Sequence, residues 1–259
     1  MPLNPPIAEW RERRCWIIGA STGIGAALAE ELAAAGARVA LSSRRRELLE
    51  EKAARFGASR ALALPLDVRD PRALAAASDA IVAAWGGIDV VVFMAGDYRP
   101  MRAWELDLDH ARTTVETNLT GCFNALAAVI PPLMKQRAGT IALVSSVAGF
   151  RGLPKSLVYG PTKAALINLA ETLYLDLRPK GVGVCVINPG FVKTPLTADN
   201  DFHMPALISP EEAAHEIVAG LARGAFEIHF PRRFTRWLKL LRVLPYRLYF
   251  PAIRRMTGS

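Results

Sequence analysis

The chain has 259 residues, of which 51% are hydrophobic and 22% are charged. This balance predicts a globular protein with a sizeable core and excludes a disordered one. The formal net charge is +8, yet eight basic residues and no acidic residue lie in 231–259, which leaves 24 basic and 24 acidic residues in the first 230. The excess positive charge therefore belongs to the C-terminal tail alone.

The cysteines and the N-terminus indicate the compartment. Cys15, Cys122 and Cys185 are far apart and offer neither a disulfide framework nor the spacing of a metal site, which indicates a reducing compartment. The N-terminal residues lack the apolar core of a signal peptide. No run is long and apolar enough to span a bilayer, since Pro131 and Pro132 break the best one. We expect a cytoplasmic protein without a bound metal.

The first predicted element is a buried strand, Arg14 to Gly19, followed by a glycine-rich turn and a helix to about Ala35. This arrangement points backbone N–H groups and a helix N-terminus at a phosphate. The spacing G-x-x-x-G-x-G differs slightly from the common dinucleotide fingerprint, and a tight turn that needs glycine for positive φ is the alternative. The candidate nucleotide-binding residues of this turn are Gly19, Ser21, Thr22, Gly23, Ile24 and Gly25.

The second predicted strand, Arg38 to Ser42, ends where a doubly wound fold meets the adenosine ribose. An acid at this point would bind the 2′-hydroxyl of NAD, whereas an arginine accommodates the 2′-phosphate of NADP. Ser43 and Arg44 follow the strand here, and no acid occurs before Glu47. The pattern favours NADP(H) over NAD(H); a solvated basic start of the next helix is the alternative.

The third and fourth predicted strands, Ala61 to Leu66 and Ile88 to Met94, also end in candidate binding residues. A pair of small residues after an apolar strand lets a cofactor ring approach the backbone closely. The candidates at these two strand ends are Asp67, Val68, Ala95 and Gly96.

A long helix is predicted from about Leu108 to Leu133. Asn118 lies in its middle and close to Gly121, and both residue types have poor helix propensity. Asn118 therefore indicates either a local kink in this helix or a functional role for its polar side chain.

The fifth predicted strand, Thr140 to Ser145, leads through a loop into a helix that carries Tyr159 and Lys163. Their four-residue spacing puts both side chains on one helix face, about one turn apart. An ammonium near a phenol favours the phenolate, so the tyrosine could exchange protons near neutral pH. With Ser146 at the end of the strand, the set suits proton transfer with a carbonyl or an alcohol. A solvated helix face and an ordinary serine turn are the alternatives.

The rest of the chain predicts a sixth strand, Val182 to Ile187, a helix capped by Ser209, and a seventh strand, Phe226 to Phe230. Strands that alternate with helices throughout imply a Rossmann-like, doubly wound parallel sheet of about seven strands with helices on both faces. Residues 1–230 would form this single catalytic and cofactor-binding domain, and residues 231–259 a basic amphipathic C-terminal extension.

Taken together and in order, these motifs resemble the short-chain dehydrogenase/reductase family, from about Arg13 to Phe230. One departure from the family pattern is Phe93-Met94 before Ala95-Gly96, where the family often has two asparagines. The resemblance implies a catalytic tetrad made of Asn118, Ser146, Tyr159 and Lys163. It also implies cofactor contacts beyond those given above, namely Lys163, Pro189, Gly190, Val192 and Thr194.

The resemblance implies a mechanism for an NADP(H)-dependent oxidoreductase. Ser146 would hydrogen-bond a carbonyl oxygen and Tyr159 would protonate it while hydride arrives from the nicotinamide. Lys163 would lower the pKa of Tyr159 and hold the nicotinamide ribose, and Asn118 would anchor a water that links Lys163 to solvent. A cofactor-binding sensor or scaffold without catalysis is the alternative function. Nucleic acid is not expected as a partner, because no recognition motif accompanies the basic tail.

The substrate and the assembly are predicted more coarsely. A largely apolar loop after Thr194 should cover the pocket and favours a lipophilic ketone or a 3-oxoacyl substrate; its residues are Phe202, His203, Met204 and Pro205. The family often assembles, so we expect a homo-oligomer, either a dimer or a tetramer.

The C-terminal extension predicts a helix that Pro245 breaks or kinks. On a helical wheel, one side is basic and the other gathers five apolar residues, with Leu238 and Val243 as imperfect fits. An apolar face opposite a basic face is typical of a helix that rests on anionic lipid, so a peripheral membrane association is one prediction. Packing on the same chain or on a partner subunit is the other. The five apolar residues are Phe234, Trp237, Leu240, Leu241 and Leu244.

Overall fold

A seven-stranded sheet forms the centre of the molecule. The computed structural model describes residues 1–198, 200 and 204–258. The strands are β1 (Arg14–Ile18), β2 (Arg38–Ser42), β3 (Ala61–Ala63), β4 (Val90–Phe93), β5 (Thr140–Val144), β6 (Gly183–Pro189) and β7 (Glu227–Phe230). Their order across the sheet is β3-β2-β1-β4-β5-β6-β7, and every pair is parallel. The predicted doubly wound fold is confirmed.

Nine α-helices surround this sheet in the described part of the chain. They are α1 (Gly23–Ala34), α2 (Arg46–Phe56), α3 (Pro71–Trp85), α4 (Leu108–Val115), α5 (Gly121–Gln136), α6 (Tyr159–Leu177), α7 (Pro210–Ala222), α8 (Arg232–Arg242) and α9 (Tyr246–Thr257). Two clusters of buried apolar side chains form the core. No described helix has both the length and the apolar character needed to cross a membrane.

The predicted helix from Leu108 to Leu133 is interrupted rather than continuous. A π-helical turn, Glu116–Thr120, separates α4 from α5 and carries the buried Asn118, so the predicted local irregularity is confirmed. Pro131 and Pro132 lie inside α5, which runs to Gln136 and so ends close to the predicted Leu133. Packing of α5 against α3 and the sheet outweighs the hydrogen bonds that the prolines remove.

The N-terminal segment, to which the sequence assigned no structure, is tied to the far side of the sheet. The buried side chain of Asn4 accepts a hydrogen bond from the backbone N–H of Val184 at 3.0 Å and donates one to the carbonyl of the same residue at 2.7 Å. Ile7 and Trp10 are buried in the core. The segment therefore stabilises β6 through contacts that no local sequence pattern predicts.

The C-terminal extension packs on the same body. α8 and α9 bury Leu238, Tyr249 and Ile253, and Phe234 and Leu241 pack against one of the two core clusters. The predicted helix break at Pro245 is present, because this proline is the N-cap residue of α9. The prediction that the tail contacts its own chain therefore agrees with the structure.

The predicted apolar face of the tail helix is wrong in part. The wheel treated Leu238 as an imperfect fit and grouped Trp237 and Leu240 on the contact face, yet the structure buries Leu238 and exposes the other two. A hydrogen bond of 2.6 Å between Thr235 and His229 helps to set the rotation of α8 about its axis. A wheel counts angles along one helix and carries no information about the neighbouring strand.

Candidate active site

A cleft of about 420 Å³ opens at the carboxyl ends of the strands. It lies where the chain reverses direction across the sheet, between β1 and β4, which is where doubly wound folds bind ligands. Ser146, Tyr159 and Lys163 line it together with all the candidate cofactor-binding residues of the sequence. The latter are Gly19, Ser21, Thr22, Gly23, Ile24, Gly25, Ser43, Arg44, Asp67, Val68, Ala95, Gly96, Lys163, Pro189, Gly190, Val192 and Thr194.

The glycine turn between β1 and α1 leaves no room for side chains. Gly19 has φ +107°, and a Cβ there would lie 2.8 Å from the backbone nitrogen of Ala95. A Cβ on Gly25 would lie 2.2 Å from the carbonyl oxygen of Gly19. Among the described residues, the side chain of the N-cap residue Thr22 makes no capping hydrogen bond to α1. The first N–H groups of α1 thus face the cleft beside a tight backbone cradle, which fits a dinucleotide phosphate.

The end of the cleft at β2 is basic. The exposed Arg44 lines it next to Ser43, whose hydroxyl accepts a hydrogen bond from the backbone N–H of Arg45 at 3.1 Å. Asp67 pairs with Arg69 at 2.6 Å, and the pKa of its carboxyl is lowered mainly by that hydrogen bond and partly by the charge of Arg44. Asp67 is therefore paired with Arg69 and not with Arg44. Within the described part of the chain, Arg44 has no ion pair.

Ser146 and the start of α6 bring the candidate proton-transfer groups together. Tyr159 is the first residue of α6, and Lys163 follows one turn later with its Nζ 5.4 Å from the centre of the tyrosine ring. That Nζ donates a hydrogen bond to the carbonyl oxygen of Val144 at 2.9 Å. The hydroxyl of Ser145 donates to the backbone carbonyl of Lys163 at 2.7 Å. The end of β5 thereby fixes α6 at the depth where its side chains meet Ser146.

Burial controls the protonation of the two residues on α6. It raises the pKa of Tyr159 to about 12, against a smaller lowering by a hydrogen bond with Ser146. It lowers the pKa of Lys163 to about 8. In this structure the lysine Nζ donates to Val144 and desolvation of the phenol dominates the pKa of Tyr159. The lowering of that pKa by the ammonium stays a prediction. Tyr159 is a neutral phenol, the form that can donate a proton.

Asn118 connects two parts of the site and does not line the cleft. Its Oδ1 accepts a hydrogen bond from the backbone N–H of Asp97 at 2.7 Å, and its Nδ2 donates to the carbonyl of Asp97 at 3.0 Å and to Thr162 Oγ1 at 3.1 Å. Both amide hydrogens are used within the protein. Asn118 thus ties the segment after β4 to α6, and its predicted role of anchoring a water stays a prediction.

The sequence analysis missed several residues of the site. Asp97 and Thr117 line the cleft, and Asp97 accepts a hydrogen bond from Thr114 at 2.6 Å. The rule that ligands meet the ends of parallel strands could have found Asp97, which directly follows Ala95-Gly96. No local pattern indicated Tyr98, whose ring lies 4.8 Å from that of Tyr159.

The loop after Thr194 reaches the site through Asn200. The hydroxyl of Tyr98 donates to Asn200 Oδ1 at 2.9 Å, and Asn200 Nδ2 donates to the sulfur of Met204 at 3.3 Å. This part of the loop therefore meets the side of the cleft next to Tyr159. Phe202 and His203, which the sequence assigned to the pocket cover, lie outside the described residues.

Comparison with known proteins decides the family. The model of the family described as short chain dehydrogenase matches residues 13–204. The chain belongs to the short-chain dehydrogenase family. It is an oxidoreductase, and the C-terminal extension lies beyond the matched residues.

Two relatives of this short-chain dehydrogenase are informative. An uncharacterized oxidoreductase of Myxococcus xanthus (strain DK1622) is 37% identical over 252 residues, which cover 96% of this chain and 100% of that protein. A protein of Sinomonas cyclohexanicum named trans-4-hydroxycyclohexanecarboxylate dehydrogenase is 37% identical over 195 residues, or 72% of this chain and 75% of that protein. The match to the Myxococcus protein takes in nearly the whole chain, so it reaches into the C-terminal extension.

Solved structures share the fold. A short chain dehydrogenase from Burkholderia cenocepacia J2315 in complex with NADP has a TM-score of 0.82 at 24% identity, covering 97% of this chain and 99% of that one. A short chain dehydrogenase/reductase from Burkholderia phymatum in complex with NAD has a TM-score of 0.81 at 23% identity, covering 90% and 94%. The fold thus binds nicotinamide cofactors of both kinds.

Proposed function

We propose that this short-chain dehydrogenase is an NADP(H)-dependent carbonyl reductase, or alcohol dehydrogenase in the reverse direction. The observation that carries the proposal is the meeting of Ser146, Tyr159 and Lys163 in the cleft that also holds the glycine cradle. A hydroxyl, a neutral phenol and a buried amine at the mouth of a phosphate-binding turn suit reduction of a carbonyl beside a nicotinamide.

Each side chain has a role in this proposal. The hydroxyl of Ser146 donates a hydrogen bond to the carbonyl oxygen and orients it. The phenol of Tyr159 donates its proton to that oxygen as the carbonyl carbon is reduced, and takes a proton back in the reverse direction. Lys163 binds the nicotinamide ribose and supplies positive charge next to the developing phenolate. A bound NADPH supplies the hydride.

The proposed substrate is a lipophilic ketone or a 3-oxoacyl compound. The aromatic ring of Tyr98 lies beside the phenol of Tyr159, and the sulfur of Met204 reaches the same side through Asn200. The name of the Sinomonas relative states a substrate with a secondary alcohol on a saturated ring, which supports including cyclic ketones among the candidates.

The cofactor preference rests on Ser43 and Arg44. Since Asp67 is neutralised by Arg69, the end of β2 presents an exposed cation where the 2′-phosphate of NADP would lie. We also expect a homo-oligomer in a cytoplasmic setting, as members of this family often oligomerise.

The test is Tyr159→Phe measured with NADPH against ketosteroids, 3-oxoacyl thioesters, long-chain ketones and cyclic keto acids. Wild-type protein should oxidise NADPH with at least one of them. Tyr159→Phe should lower the rate by about a hundredfold or more, because it removes the proton donor, while the affinity for NADPH stays within about twofold. Tyr174→Phe is the matched control, since within the described residues its hydroxyl donates to the carbonyl of Leu3, away from the cleft.

The alternative function is a sensor or scaffold that binds NADP(H) without turnover. It predicts tight NADPH binding and no NADPH oxidation with any carbonyl class, for wild type and variant alike. Near-normal turnover by Tyr159→Phe would instead show an enzyme that uses another proton donor.

A further inference from the structure

The outer face of α8 exposes large apolar side chains after the helix has packed on its own chain. Trp237, Leu240 and Val243 have 63%, 57% and 76% of their surfaces exposed. Their spacing of three residues keeps neighbouring members on one side of a helix. Just beyond, Tyr246, Leu248 and Phe250 are also more than half exposed. The contacts of α8 with the core therefore do not explain these residues.

Cations are interleaved with this apolar face. Arg233 and Arg236 are exposed, and on a wheel they fall with Trp237 and Leu240 within about 100° of one another. Of the eight cations in the extension, Arg232 and Lys239 pair with acids of the main body. The other six have no ion pair within the described residues. The extension itself contains no acid.

We propose that this outer face, made of Arg233, Arg236, Trp237, Leu240 and Val243, is a binding surface for an anionic lipid bilayer. Apolar and aromatic side chains would enter the boundary between headgroups and acyl chains while the arginines meet lipid phosphates. Charge complementarity decides between this partner and a second copy of the chain. A symmetric dimer through the same face would bring two acid-free clusters of arginine together.

One of the contacts between α8 and the active-site loop is made by Arg151. Arg151 lies in the loop between Ser146 and Tyr159 and donates hydrogen bonds to the carbonyls that end α8, those of Leu241, Arg242 and Leu244. A lipid-bound α8 would therefore be in contact with the loop that leads to Tyr159. The membrane proposal does not depend on the proposed reaction.

The experiment is co-sedimentation of the full-length protein with two kinds of vesicle. One contains phosphatidylcholine and phosphatidylglycerol in equal parts, the other phosphatidylcholine alone. The protein should sediment with the anionic vesicles at low ionic strength and much less at about 1 M salt, where the Debye length falls to about 3 Å. Binding to the neutral vesicles should be at least about tenfold weaker, since the arginines lose their lipid partners.

Two double variants locate the surface. Arg233→Glu with Arg236→Glu, and Trp237→Ser with Leu240→Ser, should each weaken binding to anionic vesicles by about tenfold or more. The matched controls are Arg60→Glu with Arg72→Glu, which changes net charge equally, and Trp104→Ser with Leu108→Ser, which removes side chains elsewhere that are at least as exposed. Both control pairs should bind like wild type, and all four variants should keep the wild-type melting temperature.

Three outcomes overturn the proposal. The first is full-length protein that stays in the supernatant with anionic vesicles at low salt. The second is a control pair that weakens binding as much as the surface pair does. The third is a surface pair that leaves vesicle binding intact and lowers the molar mass in light scattering, which would assign the face to contact between copies of the chain.

Discussion

Arg44 is the side chain on which the proposed preference for NADP(H) rests. It is exposed, lines the cleft at the end of β2, and is near enough to Asp67 to lower the pKa of that carboxyl. The neighbouring acid is paired with Arg69, so an added 2′-phosphate would meet the guanidinium of Arg44 with little opposing charge. The proposed preference for NADP(H) would come from one ionic hydrogen bond at this position.

We predict that NADPH binds more tightly than NADH by about ten- to a hundredfold, the effect of one charge-assisted hydrogen bond. Arg44→Ala should remove most of that difference by weakening NADPH alone. Titration of both cofactors by protein fluorescence measures it. Arg46→Ala is the control, because Arg46 pairs with Glu50 on the surface of α2. Equal dissociation constants of the two cofactors for the wild type would contradict the prediction.

Lys163 illustrates a residue that the sequence located but whose environment the fold set. The four-residue spacing placed it on the same helix face as Tyr159, and it is there. The direction of the tyrosine pKa followed from burial instead, since Lys163 is buried and Tyr159 is half-buried beside it in the wall of the cleft. Spacing predicts neighbours, whereas desolvation depends on every element around them.

At the scale of elements, the loop between β5 and α6 and the end of α8 form one unit. The guanidinium of Arg151 caps α8 through three carbonyls and lies 4.0 Å from the ring centre of Tyr249 and 4.6 Å from that of Tyr246. The hydroxyl of Tyr249 donates to the carbonyl of Gly152 at 2.7 Å. A cation at a helix C-terminus is also favoured by the helix dipole.

We predict that Arg151→Ala lowers the free energy of unfolding by about 2 kcal/mol, the loss of charged hydrogen bonds and ring contacts. The melting temperature should fall by about 4–8 °C. The KM for substrate should rise more than the kcat falls, because the loop next to Tyr159 loses its anchor. Arg102→Ala is the control. Among the described residues, the guanidinium of Arg102 contacts one aromatic ring, that of the exposed Trp104.

Unchanged stability and kinetics in Arg151→Ala would show that α8 and the loop are held independently of this side chain. An effect of equal size in Arg102→Ala would show that ring contacts of surface arginines are general, rather than special to the end of α8.

At the scale of the whole molecule, the C-terminal extension belongs to the same body as the catalytic part. Leu238 is a member of the core cluster that also contains Phe150. Phe150 lies in the loop between β5 and α6, two residues before Gly152. α8 also reaches β7 through the ion pair of Lys239 with Glu227. Removal of the extension would uncover one face at the β7 edge of the sheet.

We predict that a chain ending at Phe230 is strongly destabilised, because burial of Leu238, Tyr249 and Ile253 is lost. Each such side chain contributes about 1.5–3 kcal/mol, so the loss is about 5 kcal/mol or more, and the melting temperature should fall by about 10 °C or more. Differential scanning calorimetry measures this. A chain ending at Arg255 loses, among the described residues, exposed ones alone and should melt like wild type. If the chain ending at Phe230 melts like wild type, contacts of the extension with the rest of the chain do not stabilise the fold.

Sequence alone determined the layers and the location of the site. Alternating strand and helix patterns predicted the parallel sheet. In such a sheet the carboxyl ends of the strands lie at one edge. The glycine turn therefore lies in the same cleft as Ser146, Tyr159 and Lys163. These features are encoded locally, by periodicity and by the residues that follow each strand.

Tertiary structure decided what depends on contacts between distant segments. The hydrogen bond of Asn118 with Thr162 and those of Arg151 with the end of α8 join residues that are 44 and 90 or more positions apart. The rotation of α8 depends on its contact with the neighbouring strand β7. A wheel or a motif carries no information about such neighbours. The raised pKa of Tyr159 has the same origin, because desolvation is the sum of everything that packs around the phenol.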